Sequence, residues 1–145
     1  RVEVTGDLAY DALRIRDSSV RGPVPDVSAL ATIDEHQAAV LLWNYHDDDL
    51  PAPEAPIRLT LTGLPNGRLL LEHFRIDRNH SNAYTDWQDL GSPQHPTGKQ
   101  IAELEKAGQL ELLESPKWIN TPNGQTVIEV HLPGQGVSLL KFTWD

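Results

Sequence analysis

The chain has 145 residues and a mass of 16.1 kDa, enough for one domain with one core and far short of the roughly 250 residues of a (β/α)8 barrel. Twelve Lys and Arg against 21 Asp and Glu leave a net charge of −9, which argues against nucleic acid and anionic membranes as partners, since both are polyanions. The composition, 39% hydrophobic and 23% charged, is that of a slightly polar globular domain, and the absence of cysteine excludes a disulfide framework and a thiolate metal site.

Short apolar runs separated by turn residues dominate the pattern. In chain order they predict strands at Leu8–Ile15, Val27–Ile33, Ala38–Tyr45, Ile57–Thr62, Leu69–Ile76, Thr126–Leu132 and Val137–Trp144. Ile57, Leu59 and Leu61 alternate with Arg58, Thr60 and Thr62, and Ile128, Val130 and Leu132 alternate with Glu129 and His131, so each run has one buried and one wet face. Ala38–Tyr45 is nearly all apolar and reads as a central strand covered on both sides. Asn66-Gly67, Asn123-Gly124 and Gly134-Gln135-Gly136 suit tight hairpins between antiparallel neighbours. One helix is expected: Thr97 and Gln100 have capping-box spacing, Ile101 and Leu104 follow at helical intervals, and Gly108 stops it. Leu110–Leu113 can return as a short strand, and Leu50–Pro56 is a stiff proline-rich connector. Asp77–Gly98 has no periodicity and reads as a long ordered loop, because it carries Tyr84 and Trp87. The expected fold is all-β: an antiparallel β-sandwich with one short helix and one long ordered loop, in a single domain spanning 1–145.

Few residues point to chemistry. His46-Asp47-Asp48-Asp49 could supply oxygens to a hard cation, but consecutive strand residues point to opposite faces and no calcium-loop spacing is present. It reads as an acidic strand end, and no metal and no cofactor are expected. His80, Ser81 and Asp86 invite a triad reading, yet no nucleophile elbow occurs, and triads are assembled across a fold. The stretch around His80, Asn82, Tyr84 and Trp87 is instead a packed loop or an interface loop, two readings of equal weight. Glu103 and Glu105 fall on different helix faces, and Glu111 and Glu114 flank a short strand, so no carboxyl pair for glycoside cleavage is visible. Trp43, Trp118 and Trp144 are read as core packing before a sugar-stacking platform.

Several motifs then occur in a telling order: Trp43-Asn44-Tyr45-His46-Asp47-Asp48-Asp49, His73-Phe74-Arg75-Ile76-Asp77, the run His80–Trp87, Gly91-Ser92-Pro93-Gln94, and Gly134-Gln135-Gly136-Val137-Ser138. Together they resemble the region after the catalytic barrel in bacterial family 39 glycoside hydrolases, the β-xylosidases, and more distantly the α-L-iduronidases. The resemblance runs from about Asp26 to Trp144 and is most specific between Asp77 and Gln94. Phe74 stands where the family often has Tyr, and Gly98-Lys99 where it often has Pro-Glu. The family's acid/base and nucleophile are glutamates on its barrel, the former in an Asn-Glu-Pro motif, and this chain has no Asn-Glu-Pro.

The resemblance thus implies an accessory sandwich of a retaining exo-β-1,4-xylosidase, with no catalytic residue of its own. Its expected partner is the parent's catalytic (β/α)8 barrel, with His80, Asn82, Tyr84 and Trp87 at the barrel interface or pocket rim. Xylo-oligosaccharide would be met only through the parent, and the isolated chain is expected to be inactive and to self-associate weakly. The alternative is a carbohydrate-binding module that tethers an enzyme to xylan, which needs exposed coplanar aromatics. A chain that opens at Arg1 and lacks Met is expected to be processed, truncated or excised, and bacterial cytoplasm, periplasm and secretion all remain open as its address.

Overall fold

The structure, a computed structural model, describes residues 26–45 and 54–145. The predicted strand Leu8–Ile15 and the acidic cluster His46–Asp49 lie outside the described residues. Eight strands are seen among them: β1 Val27–Ile33, β2 Gln37–Asn44, β3 Ala55–Thr62, β4 Gly67–Ile76, β5 Glu111–Leu112, β6 Lys117–Thr121, β7 Gln125–Leu132 and β8 Gly136–Thr143. Two helices, α1 Ala83–Asp89 and α2 Gly98–Ala107, lie between β4 and β5. The strands form two antiparallel sheets. The larger runs β1-β2-β8-β4, with β5 and β6 both pairing with β4 at its far edge, and the smaller is β3-β7.

Alternation places the core between the sheets. Val40, Leu42, Leu69, Leu71, Leu140 and Phe142 point inward from the larger sheet and meet Val130 and Leu132 of the smaller one. Ile57, Leu59, Leu61 and Ile128 pack against this cluster. On the outer side of the smaller sheet Arg58, Thr60, Glu129 and His131 are exposed, as their alternation requires. β2 is central as expected, between β1 and β8. Its core-facing Ala38, Val40, Leu42 and Asn44 are buried, whereas Ala39, Leu41 and Trp43 on the other face are only half-buried.

The predicted hairpins are corrected by the pairing. β3 and β4, β6 and β7, and β7 and β8 are neighbours in sequence but lie in different sheets. Asn66-Gly67, Asn123-Gly124 and Gly134-Gln135-Gly136 therefore reverse the chain across the sandwich rather than within a sheet. The left-handed residues expected of tight turns are present, with φ of 55° at Asn123, 69° at Gly124 and 60° at Gln135. Turn residues specify a reversal, and the burial pattern of the flanking strands decides its direction. Two of these arches clamp each other. Buried Thr121 donates its hydroxyl to the carbonyls of Pro65 and Gly67, at 2.6 and 3.1 Å, and Leu64 N–H donates to Gly124 O at 3.1 Å. Among the described residues a hairpin is formed by β1 and β2, which turns on Asp34, whose N–H donates to Gln37 O at 2.8 Å and whose carboxylate accepts from the Gln37 amide at 3.1 Å.

The expectation of one helix and one long loop is also corrected. α2 appears where the capping box places it, with both reciprocal bonds formed between Thr97 and Gln100 and with Gly108 as its C-cap. Within Asp77–Gly98, however, lies α1, whose seven residues are too few to show a helical period. Its local signal is Asn82, an N-cap whose side chain accepts from Tyr84 N–H at 3.0 Å. β6 was likewise invisible to the sequence pattern, being a five-residue edge strand defined by its pairing with β4.

A Cβ at Gly124 would overlap the Leu64 carbonyl oxygen, and the residue holds a positive φ. Gly124→Ala is therefore expected to cost more than about 1 kcal/mol, with both backbone strain and the arch contact against it. Phe142, fully buried at the centre of the core, should cost about 3–5 kcal/mol when truncated to Ala. Chemical denaturation of both variants checks the two values, and a Gly124→Ala variant as stable as wild type would show that the arches do not clamp.

Candidate functional site

The four residues singled out in the sequence sit on a helical arm, Arg78–Leu110, that leaves the end of β4 and returns at β5. Neither helix buries any residue; each packs mainly against the other, with Ala83 opposite Gly108. The arm's shape is set at its root by Asp77, the last inward-facing residue of the β4 run and 8% exposed. One carboxylate oxygen of Asp77 accepts from Asn79 N–H and from His80 Nδ1, both at 2.8 Å, and the other from Arg75 Nη1 at 3.4 Å. The Asp77 carbonyl accepts from the Asn82 amide at 3.0 Å, and the Asp77 N–H donates to His80 O at 3.1 Å. On the return side Ser81 Oγ accepts from Glu111 N–H at 2.9 Å, and Leu113 N–H donates to His73 O at 2.7 Å.

His80 and Asn82 are thus brought together by Asp77. Tyr84 and Trp87 are brought together by α1, one turn apart, their rings stacked at 5.6 Å and 26°. Trp87 is half-buried, with its indole N–H donating to Pro93 O at 3.0 Å, while Tyr84 is 62% exposed and its hydroxyl accepts from the Gln88 amide at 3.2 Å. A shallow polar groove of about 350 Å³ opens beside the root, lined by Arg78, Ser81, Asn82, Asp86 and Glu111 among others. Of the four candidates only Asn82 lines it.

Sequence reasoning missed the buried polar set beneath the arm. His73 and Arg75 follow Leu69 and Leu71 at a period of two, so β4 carries an imidazole and a guanidinium on its core face. Arg75 Nε donates to Ser138 Oγ on β8 at 2.9 Å, and Arg75 Nη2 to the His131 carbonyl on β7 at 2.9 Å. His73 Nε2 shares a 2.9 Å hydrogen bond with the same Ser138 Oγ, and its Nδ1 lies 3.8 Å from Glu114. Ser138 is fully buried and held by two partners, so this Ser–His–Glu arrangement is a structural knot closed to substrate. The alternation alone was the signal that could have found it. Burial followed by Arg75 holds the His73 imidazole below its ordinary value of 6.5. Burial raises the Asp77 carboxyl, but the hydrogen bonds from His80 and Asn79 with the nearby positive groups outweigh it and hold the acid below its ordinary range.

The core-packing expectation holds for Trp144 and is corrected for Trp43 and Trp118. Trp144 packs against the core and donates its indole N–H to Glu35 O at 2.9 Å. Trp43 is half-buried on the outer face of the larger sheet, and Trp118 is 57% exposed with the Arg68 guanidinium 5.0 Å over its ring. Among the described residues no group of three or more His, Cys, Asp or Glu could hold a metal ion.

Residues 24–121, about two thirds of the chain, match the profile of Glycosyl hydrolases family 39. The chain belongs to glycoside hydrolase family 39. It is 26% identical over 106 residues to a β-xylosidase of Caldicellulosiruptor saccharolyticus, covering 73% of this chain but 21% of that protein. In structure it is similar to the family 39 enzyme of Xanthomonas axonopodis pv. citri, with a TM-score of 0.69 and 21% identity over 79% of this chain and 25% of that one. It is also similar to a monomeric β-xylosidase of Caulobacter crescentus, with a TM-score of 0.64 and 22% identity over 79% and 26%. This family 39 chain therefore spans about a fifth to a quarter of the length of the relatives it matches.

The depressed His73 value fixes a pH dependence. Between that value and 6.5 the unfolded chain binds the proton that the folded one refuses, so stability rises with pH across this window. The stability that neutral His73 secures is fully present above 6.5 and is lost as pH falls through the folded value. Asp77 adds a second loss at lower pH, because the stability from its depressed value is present above 3.8 and disappears as pH falls through the folded value. Melting temperatures of wild type and His73→Gln from pH 8 to 5 check the first loss. The slope below 6.5 is expected to flatten in the variant, and an unchanged slope would assign it to another group.

Proposed function

We propose that this family 39 chain is the accessory β-sandwich of a retaining exo-β-1,4-xylosidase. In this reading it packs against the parent's catalytic barrel and has no catalytic residue of its own. The observation that carries the reading is its share of its relatives: an all-β sandwich spanning 21–26% of family 39 proteins, two of which are named β-xylosidases. The fold supports this assignment, since a sandwich supplies strands on which to mount an arm but no ring of βα loops to hold a barrel-type site.

The arm is the element that would reach the pocket rim. Its helices bury no residue, its root is tied by Asp77, and it displays the Tyr84–Trp87 stack with Tyr84 largely exposed. Aromatic side chains of this kind suit a surface that is anchored yet partly wet, as a saccharide-accepting rim is. His80 and Asn82 act as positioning residues in this reading, holding α1 through Asp77. The substrate class is xylo-oligosaccharide, met only in company with the barrel. A xylan-tethering module finds less support, because the most exposed tryptophan, Trp118, has one ring face covered by Arg68, and Trp43 is offset from it by six register positions, roughly 20 Å along the strands, and by three strands across the sheet.

Three measurements test the reading. The native polypeptide should have an intact mass several-fold above 16.1 kDa. The 145-residue chain alone should release no xylose from aryl-β-xylosides above a no-protein control. In the full-length enzyme Trp87→Ala should lower turnover or stability, and an enzyme unchanged in both would confine the stack to local packing.

A further inference from the structure

The two outer faces of the sandwich differ in chemistry. The smaller sheet shows water Arg58, Thr60, Glu129 and His131. On the outer face of the larger sheet the register aligns Leu30 with Leu41, Leu41 with Leu139, Leu139 with Phe74, and Phe74 with Leu112. An apolar row thus crosses five strands without a break, four inter-strand spacings or roughly 19 Å. A second row, Trp43–Val137–Ile76, runs beside it. On the other flank the stripe is bounded by the ion pair of Lys141 with Glu72 at 3.2 Å. Leu30 is 56% exposed, Ile76 44% and Leu112 40%, and the central residues of both rows are half-buried. An antiparallel sheet with water on its outer side has polar residues there, and a contiguous apolar stripe of this width marks a covered face.

We infer that the apolar outer face of the six-stranded sheet is the surface against which the helical flank of a (β/α)8 barrel docks. The inference rests on the reading that the chain is the accessory domain of a barrel enzyme, and it adds which face makes that contact. Three observations favour this occupant. A single helix about 10 Å across would cover half of the row, whereas two neighbouring helices of a barrel's outer ring match its width. About three quarters of each family 39 relative lies outside the part this chain matches, which leaves ample protein to cover the face. A second copy is disfavoured, because each chain carries a net charge of −9 and two copies repel. The arm and this face then divide the work: the sheet face fixes the domain to the barrel, and the arm extends from the β4 edge towards the rim.

Hydroxyl-radical footprinting of the 145-residue chain and of the native full-length polypeptide tests this without altering either. Trp43, Phe74 and Leu139 should be labelled in the isolated chain and several-fold less in the full-length protein. Val127, 46% exposed on the outer side of the smaller sheet, should be labelled alike in both. Equal labelling of the row in both, with a barrel present, would overturn the inference and leave the accessory-domain reading standing. Protection already complete in the dilute isolated chain would assign the face to residues 1–25. Protection that grows with concentration, with none added by the barrel, would assign it to a second copy. A native polypeptide of 16.1 kDa would sink both the inference and the reading beneath it. As an independent measure, Leu139→Glu should leave the isolated chain folded with a modestly lowered melting temperature, and split the unfolding of the full-length protein into two transitions. A single transition at the wild-type temperature would count against the docking face.

Discussion

One buried guanidinium joins the three parts of this domain. Arg75 reaches Ser138 within the larger sheet, the His131 carbonyl in the smaller sheet, and Asp77 at the root of the arm. At 5% exposure its charge has little access to water, and a buried charge is tolerated only when its partners are in place. The geometry of β4, β7 and the arm is therefore mutually conditional. If any one moves, a cation or a carboxylate is left buried and unpaired, which is costly in a low-dielectric interior. Hydrophobic packing holds the sheets together, but it does not specify where the arm leaves them. The Arg75–Asp77 contact does.

This arrangement gives the arm a definite direction without a core of its own. α1 and α2 bury no residue, and helices of seven and ten residues are marginal on propensity alone. They are held by caps at Asn82 and Thr97, by each other, and by the hydrogen bonds on Asp77 and Ser81. Asp77 is at once the first residue beyond β4, the acceptor for a turn and the counter-charge of Arg75. Its carboxylate binds at both ends of the junction, so the arm inherits the rigidity of the sheet.

Much of the fold was legible in the sequence because alternation is a strong signal. Every predicted strand within the described residues was found, and Thr97 with Gln100 located α2. The errors have physical sources. Asn-Gly and Gly-Gln-Gly report a reversal of the chain but not whether the strands pair or cross between layers, and here they cross. α1 and β6 are too short to carry a period, and β6 exists because β4 offers an edge. The site was less legible. His80, Asn82, Tyr84 and Trp87 were visible as a cluster of unusual residues, but the groups that aim them lie on β4 and β8. His73, Arg75 and Asp77 continue the parity of Leu69 and Leu71, so placing them on the core face required trusting alternation over polarity. Ser138, the partner of His73 and Arg75, lies more than sixty residues away in sequence and could be assigned only from the sheet order.

The central claim is that one buried cation couples the arm to both sheets, so that the domain presents its aromatic stack as a rigid unit. Native-state hydrogen exchange on Arg75→Met measures this coupling residue by residue. The account predicts that amides of the arm, around Asn79–Trp87, and of the β7–β8 arch lose protection together, while β1 and β2 keep theirs. An arm that keeps wild-type protection when Arg75 is gone would contradict it.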